Sequence, residues 1–260
     1  MKKIGLLIVI ALLVMMAVVQ LKAENLSLPA AESSQLLSSL TVKNDGRAEA
    51  GLVKVQGGIL KQHPVKKQDN QPGQTAETAL IIIDIQNDYF NGGAMQLTDA
   101  AAAAEKAKTV LAYFRTKKMM VIHVKHIALQ KGATFFLPDT KGAEINEQVL
   151  PLAAEKVITK NYPNSFRNTE LLAYLKYHRI KNLVICGMMT DVCVDATVRA
   201  SMDYGFKNIV ISDAVATRDR ELKGEIIKAG QINQAFLAGL NALGGLYANI
   251  LTANEFIAGR

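Results

Sequence analysis

Tryptophan is absent from the 260-residue chain, and cysteine occurs only twice, at Cys186 and Cys193. Two cysteines permit one disulfide but no disulfide framework, and the C-x-x-C spacing of a redox motif is missing. No internal repeat is present. Basic residues are scattered and not interleaved with aromatics, so the footprint of a nucleic-acid binder is lacking. The formal charge of +7 overstates the basic character of the body. Lys2, Lys3 and Lys22 sit in the first 23 residues, beyond which 27 basic side chains face 23 acidic ones. What the chain has in quantity is apolar surface. Half of its residues are hydrophobic, enough for a large core.

The N-terminus reads MKKIGLLIVIALLVMMAVVQLKA. Two lysines precede an apolar run from Ile4 to Val19, the pattern of a basic n-region and an h-region. The run is long for a signal peptide and short for a spanning helix. Residues 1–23 are therefore expected to be a secretory signal, with an uncleaved N-terminal anchor as the alternative. Either way the body is exported, to the periplasm or outside the cell. Contact with a membrane is expected only through an uncleaved leader. Residues 24–77 are rich in Ser, Gln, Lys, Asn and Gly and form a polar, largely irregular extension ending in a linker.

From residue 78 to residue 260 the texture changes to that of one α/β domain. ALIIID (Ala79–Asp84) is a continuous apolar run that ends in a carboxylate, as in a parallel strand buried on both faces. Thr98 or Asp99 can cap a following helix. Further strands are expected at Met119–Val124, Lys156–Thr159, Leu183–Cys186, Asn208–Asp213 and Leu246–Leu251. Helical patterns lie between them, one capped by Asn168 and another running from Ile226 to Leu243. The alternation predicts a doubly wound, mostly parallel sheet of about six strands with helices on both faces.

The chain's most informative stretch is LVICGMMTDVCVDATVRASMDYG (Leu183–Gly205). A strand ends at Cys186, Gly187 breaks it, and a helix starts near Thr190 or Asp191. Cys193 thus lies at a helix start, where free N–H groups and the dipole favour a thiolate and can hold an oxyanion. Asp84 and Lys160 stand at or just past the carboxyl ends of two other strands. In such a sheet those ends share one edge, where ligands bind. An Asp there can take the thiol proton, and a Lys favours both anions.

Four segments carry a family resemblance: IIIDIQNDYF (Ile81–Phe90), ITKNYPNSFRNTEL (Ile158–Leu171), VICGMMTDVCVDATVRASMDYGF (Val184–Phe206) and ISDAVATRD (Ile211–Asp219). Together they resemble the isochorismatase-like cysteine hydrolases, a superfamily of nicotinamidases, N-carbamoyl amidases and isochorismatases, from about Ala79 to Glu255. The resemblance implies Asp84 as general base, Lys160 as its charge partner and Cys193 as nucleophile. It also implies a cis peptide between Met188 and Met189, and an oxyanion hole formed by the N–H groups of Met189 and Cys193. Metal-binding members carry an Asp and several His after the second strand. The equivalent stretch here offers only His126 and Asp139, so no metal and no cofactor are expected.

The expected reaction is hydrolysis of a C–N bond in a small amide or ureido substrate through a thioester on Cys193. The alternatives are hydrolysis of an isochorismatase-type vinyl ether, a catalytically silent binding module of the same fold, and a redox role for Cys186 with Cys193. Position alone nominates Gln86, Phe90, His126, Phe136 and Phe166 as pocket walls. Asp88 reads as structural, and Arg199 with Asp203 as a solvated i,i+4 pair. A small molecule is the expected partner, and nucleic acid is excluded. A homo-oligomer stays open.

Overall fold

The computed structural model describes residues 77–259. The leader (residues 1–23) and, Glu77 apart, the extension (24–77) lie outside the described residues. Strand β1 is Thr78–Ile83, with all six residues buried. Helix α1 (Ala100–Thr116) follows, then β2 (Met120–His126), β3 (Lys156–Lys160), α2 (Leu171–Tyr177) and β4 (Asn182–Met188). A π-helical turn (Thr190–Val194) leads directly into α3 (Asp195–Asp203) and then β5 (Lys207–Ala216). A small hairpin, β6 (Arg220–Leu222) and β7 (Glu225–Ile227), precedes α4 (Ala229–Leu240), β8 (Asn249–Leu251) and α5 (Ala253–Ala258). Among the described residues, no helix is long and apolar enough to cross a membrane.

The six long-sheet strands run parallel in the order β3-β2-β1-β4-β5-β8. The sheet divides the core in two, because successive side chains of a strand point to opposite faces. Leu80, Ile82, Val184 and Cys186 pack on one side, with Ala104, Val110 and Phe114 of α1 and Phe256 of α5. Ala79, Ile81, Ile83, Leu183 and Ile185 pack on the other, with Leu175 of α2, Val198 of α3 and Leu240 of α4. Helix α1 buries Ala100, Ala103, Ala104, Ala107, Val110, Leu111 and Phe114, a stripe at spacings of three and four. Its alanines let the helix lie close to the sheet. Each large apolar side chain buried this way contributes about 1.5–3 kcal/mol.

From β1 the chain winds outward through β2 and β3, then returns to the other side of β1 as β4. The strand order reverses at that point, and the crevice between the carboxyl ends of β1 and β4 is where such sheets bind ligands. Gly187 sets how closely these two strands approach there. It pairs with Ile83 at φ +135°, and a Cβ on it would run into the Ile83 carbonyl oxygen.

Three local expectations are corrected. Ile226 and Ile227 belong to the hairpin and not to a helix. Lys223 and Gly224 both take positive φ (53° and 85°), as a two-residue type I′ turn requires. Asn168 sits in the left-handed region at φ 55°, and α2 starts after Glu170 without a side-chain cap. Arg199 pairs backward with Asp195 at 2.9 Å, and not forward with Asp203, while its guanidinium lies 4.5 Å above the Tyr247 ring.

Candidate active site

Three strand ends converge in the crevice. Asp84 follows the last residue of β1 and is fully buried, with its backbone at φ 51°. A non-glycine residue held there is uncommon, and such strain gathers at functional sites. Its N–H still donates to Val124 O at 3.0 Å, which fixes the turn against β2. Lys160 is the last residue of β3 and reaches across the end of β2, a span of about 10 Å at normal strand spacing. A lysine stem covers that span and a short side chain does not. Its Nζ lies 2.7 Å from Asp84 Oδ2, and neither side chain is exposed. The same Nζ donates to Tyr162 O at 3.1 Å and lies 3.1 Å from His126 Nδ1.

Cys193 arrives from β4. The π turn closes on Met189, whose carbonyl accepts from Val192 N at 3.1 Å and Val194 N at 3.2 Å. The Met188–Met189 peptide is cis. The Cys193 thiol is buried, with Sγ within 4.8 Å of an Asp84 carboxylate oxygen and in the field of Lys160. Asp191, two residues earlier, braces this turn. Its carboxylate accepts from Thr217 Oγ1, just past β5, and from Arg220 Nε at 2.8 Å. Arg220 also lies over Met189, with Nη2 3.4 Å from the sulfur.

Burial pushes the Cys193 thiol well above its ordinary range, and the Asp84 charge adds to this, with Lys160 opposing. Burial thus works against the thiolate that the helix start favours. Burial also works against the charge on Lys160, but Asp84 and Cys193 outweigh it and hold the ammonium above its ordinary value. Burial and then Lys160 lower the His126 imidazole, against the pull of Asp84.

The pocket-wall nominations fare differently. His126 is at the site, partly exposed. One of its ring nitrogens, an Asp84 oxygen and Cys193 Sγ lie within 4.8 Å of one another. Phe90 is half-buried beside the core. Gln86 is fully buried, and its amide clamps backbone. Nε2 donates to His126 O and Ala143 O, both at 2.8 Å, and Oε1 accepts from His126 N at 2.7 Å. It therefore splices the His126 strand end to the Ala143 loop. Phe136 is a core ring wedged between Tyr89 (4.6 Å) and Phe135 (4.9 Å), with His126 at 5.9 Å. Phe166 packs on Tyr204 and Phe206, past the far end of α3. Its neighbour Ser165 donates its N–H to Thr197 Oγ1 at 3.0 Å, about one turn along from Cys193. Asp88 is structural as read. Its carboxylate accepts from Phe136 N at 2.6 Å and Ala94 N at 3.2 Å.

Sequence reading missed Tyr89, Asp191, Thr217 and Arg220. Tyr89 is buried and lies in the field of Cys193 and Asp84. Its phenol is raised well above the ordinary value, first by burial and then by those two groups. Its place five residues after Asp84, inside IIIDIQNDYF, was the available signal.

Asp84, His126 and Cys193 offer one ligand atom each to a cation. Lys160 Nζ already bonds Asp84 and His126, so an ammonium occupies the position a metal would take. Asp139 is exposed on its loop and outside this group. The donor set does not fit a metal ion.

Comparison with known proteins decides the lineage. The family model described as the isochorismatase domain matches residues 78–237. The chain belongs to the isochorismatase family of hydrolases. This isochorismatase-family hydrolase is 45% identical over 180 residues to the uncharacterized isochorismatase family protein YddQ of Bacillus subtilis, covering 69% of this chain and 98% of YddQ. An assigned isochorismatase hydrolase from Oleispira antarctica shares its fold in a crystal structure. The two superpose with a TM-score of 0.67 at 43% identity, over 71% of this chain and 97% of that one. The maleamate amidohydrolase of Pseudomonas putida is 29% identical over 154 residues, 54% of this chain and 72% of the relative.

Proposed function

We propose that this isochorismatase-family hydrolase cleaves a C–N bond of a small amide or ureido substrate through a thioester on Cys193. The convergence of Asp84, Lys160 and Cys193 in one buried crevice is the observation that carries the reading. The similarity to a maleamate amidohydrolase supports amide chemistry.

Asp84 takes the thiol proton as sulfur attacks the carbonyl carbon, so the resting sulfur need not be ionised. The new oxyanion is received by the backbone N–H groups of Met189 and Cys193. Lys160 keeps the site near neutral while the negative charge moves from carboxylate to sulfur to oxygen. The protonated Asp84 gives its proton to the departing nitrogen, and the C–N bond breaks. Water then adds to the thioester with Asp84 as base, the C–S bond breaks, and the proton returns to sulfur. The leader of residues 1–23 directs this activity out of the cytoplasm.

The test is a screen of small amides, ureido acids and isochorismate with the purified protein, following released ammonia and pyruvate. Ammonia from an amide or ureide, unaffected by exhaustive chelation, is the expected result. Turnover of isochorismate alone would replace this reading with vinyl ether hydrolysis. Loss of turnover on chelation with recovery on adding zinc or iron would reverse the metal argument.

A further inference from the structure

His126 does more than line the crevice. An ammonium can only donate, so its 3.1 Å contact with His126 Nδ1 requires a lone pair on that nitrogen. The imidazole must then be neutral and carry its one proton on Nε2. The ring is held for this task. Gln86 clamps the His126 backbone on both N–H and C=O, and Phe136 stands against the ring. Lys160 Nζ lies 2.7 Å from Asp84 Oδ2, 3.1 Å from His126 Nδ1 and 3.1 Å from Tyr162 O. Three acceptors in three directions give a fixed cation.

We propose that His126 is a positioning residue: its neutral imidazole holds the Lys160 ammonium against Asp84 and Cys193, and protonating it releases Lys160 and shuts the site down. The groups facing the ring are Lys160 from β3, Asp84 from the end of β1 and Cys193 from the π turn. A proton on Nδ1 would place an N–H against an N–H, so the clamp and the protonated ring exclude each other. A neutral acceptor serves better here than a second carboxylate. It orients Lys160 without drawing its charge away from Asp84 and the reacting sulfur.

The proposal rests on the thiol-hydrolase reading only for its kinetic arm. The structural arm is ¹⁵N NMR of the imidazoles in the full chain, where the four histidines are few enough to assign by difference with His126→Gln. His126 is expected neutral, with its proton on Nε2, from neutral into mildly acidic pH. A proton on Nδ1, or a ring already protonated at neutral pH, overturns the proposal whatever the substrate.

The kinetic arm compares His126→Gln with His126→Leu. Glutamine offers an oxygen to Nζ and cannot be protonated in this range. It should keep activity within about threefold at neutral pH and move the acid limb of the pH profile to lower pH. Leucine leaves Nζ without its acceptor and should lose about thirtyfold or more in kcat with little change in KM. Equal losses in both variants with an unmoved acid limb would reduce His126 to a wall. Where no substrate turns over, the rate of Cys193 alkylation by iodoacetamide against pH replaces hydrolysis as the readout, with the same order of variants.

Discussion

At each end of β3 a carboxylate meets a basic partner and a histidine, half-buried at the start and fully buried at the end, and the two differ in how many donors the carboxylate holds. At the start of the strand, Glu155 takes Arg115 at 2.7 and 2.8 Å, Leu152 N at 2.9 Å and His123 Nε2 at 2.9 Å. Burial opposes its charge, but these donors, Arg115 first, pull the carboxyl down to about 2. At the end of the strand, Lys160 meets Asp84, and no backbone N–H reaches that carboxylate. A carboxylate saturated with donors is locked as an anion and serves stability. One that faces a single ammonium and a thiol keeps lone pairs open to a proton in transit.

The widest separation of the two ends is expected from Cys193→Ala. Hydrolysis should fall by about a thousandfold or more, given what a nucleophile with its base supplies. The denaturation midpoint should stay near wild type. Residual wild-type turnover in that variant would end the thioester mechanism.

Lys160→Met should damage both properties at once. It leaves Asp84 buried without its cation, which costs about 3–5 kcal/mol. Urea unfolding reads the loss of stability, and single-turnover kinetics read the loss of rate.

Glu155→Gln is the converse test. It should cost about 1–3 kcal/mol of stability with kcat unchanged. The folded carboxyl lies at about 2 against an ordinary 4.5, so its stabilisation is complete above about 4.5 and is lost as pH falls through about 2. Wild type should therefore lose urea resistance steeply over that window, and Glu155→Gln should lose less. An unchanged slope would show that another carboxylate governs acid unfolding.

The smallest effect is expected from Cys186→Ala. Cys186 and Cys193 belong to the cores on opposite faces of the sheet, and both are free thiols. Burial pushes the Cys186 thiol up to about 12, so it is inert. The variant should keep full activity at a cost of about 1 kcal/mol. Mass spectrometry after alkylation without reductant should find no bond between the two cysteines. Such a bond would restore the redox reading.

The sheet and the meeting of Asp84, Lys160 and Cys193 were legible because buried parallel strands write themselves as apolar runs. ALIIID and LVIC leave one register each, and the polar residue that ends a run marks the sheet's functional edge. Side-chain direction was less legible. Gln86 looked like a pocket residue because it follows Asp84, yet its amide substitutes for missing strand partners. Phe166 lies on the loop before α2, and nothing local told which end of α3 its ring would meet. Ile226 and Ile227 fit a helical period, but the positive φ of Lys223 and Gly224 turns the chain back first. Arg199 had acidic residues four positions away on both sides, and the Tyr247 ring, distant in sequence, sits with the Asp195 pairing.

Gly187 carries a consequence for how this enzyme can change. A methyl group there would drive the Ile83 carbonyl aside, and Asp84 is the next residue along. The gap between Asp84 and Cys193 is thus set at a third position, on β4. Among randomised codons at 187, only glycine should survive a screen for turnover. A half-buried position such as Phe90 should yield many functional alternatives. The fold can drift in substrate preference through its loops while this one site admits no variation, so lineages descending from this chain explore new pockets around an immovable centre.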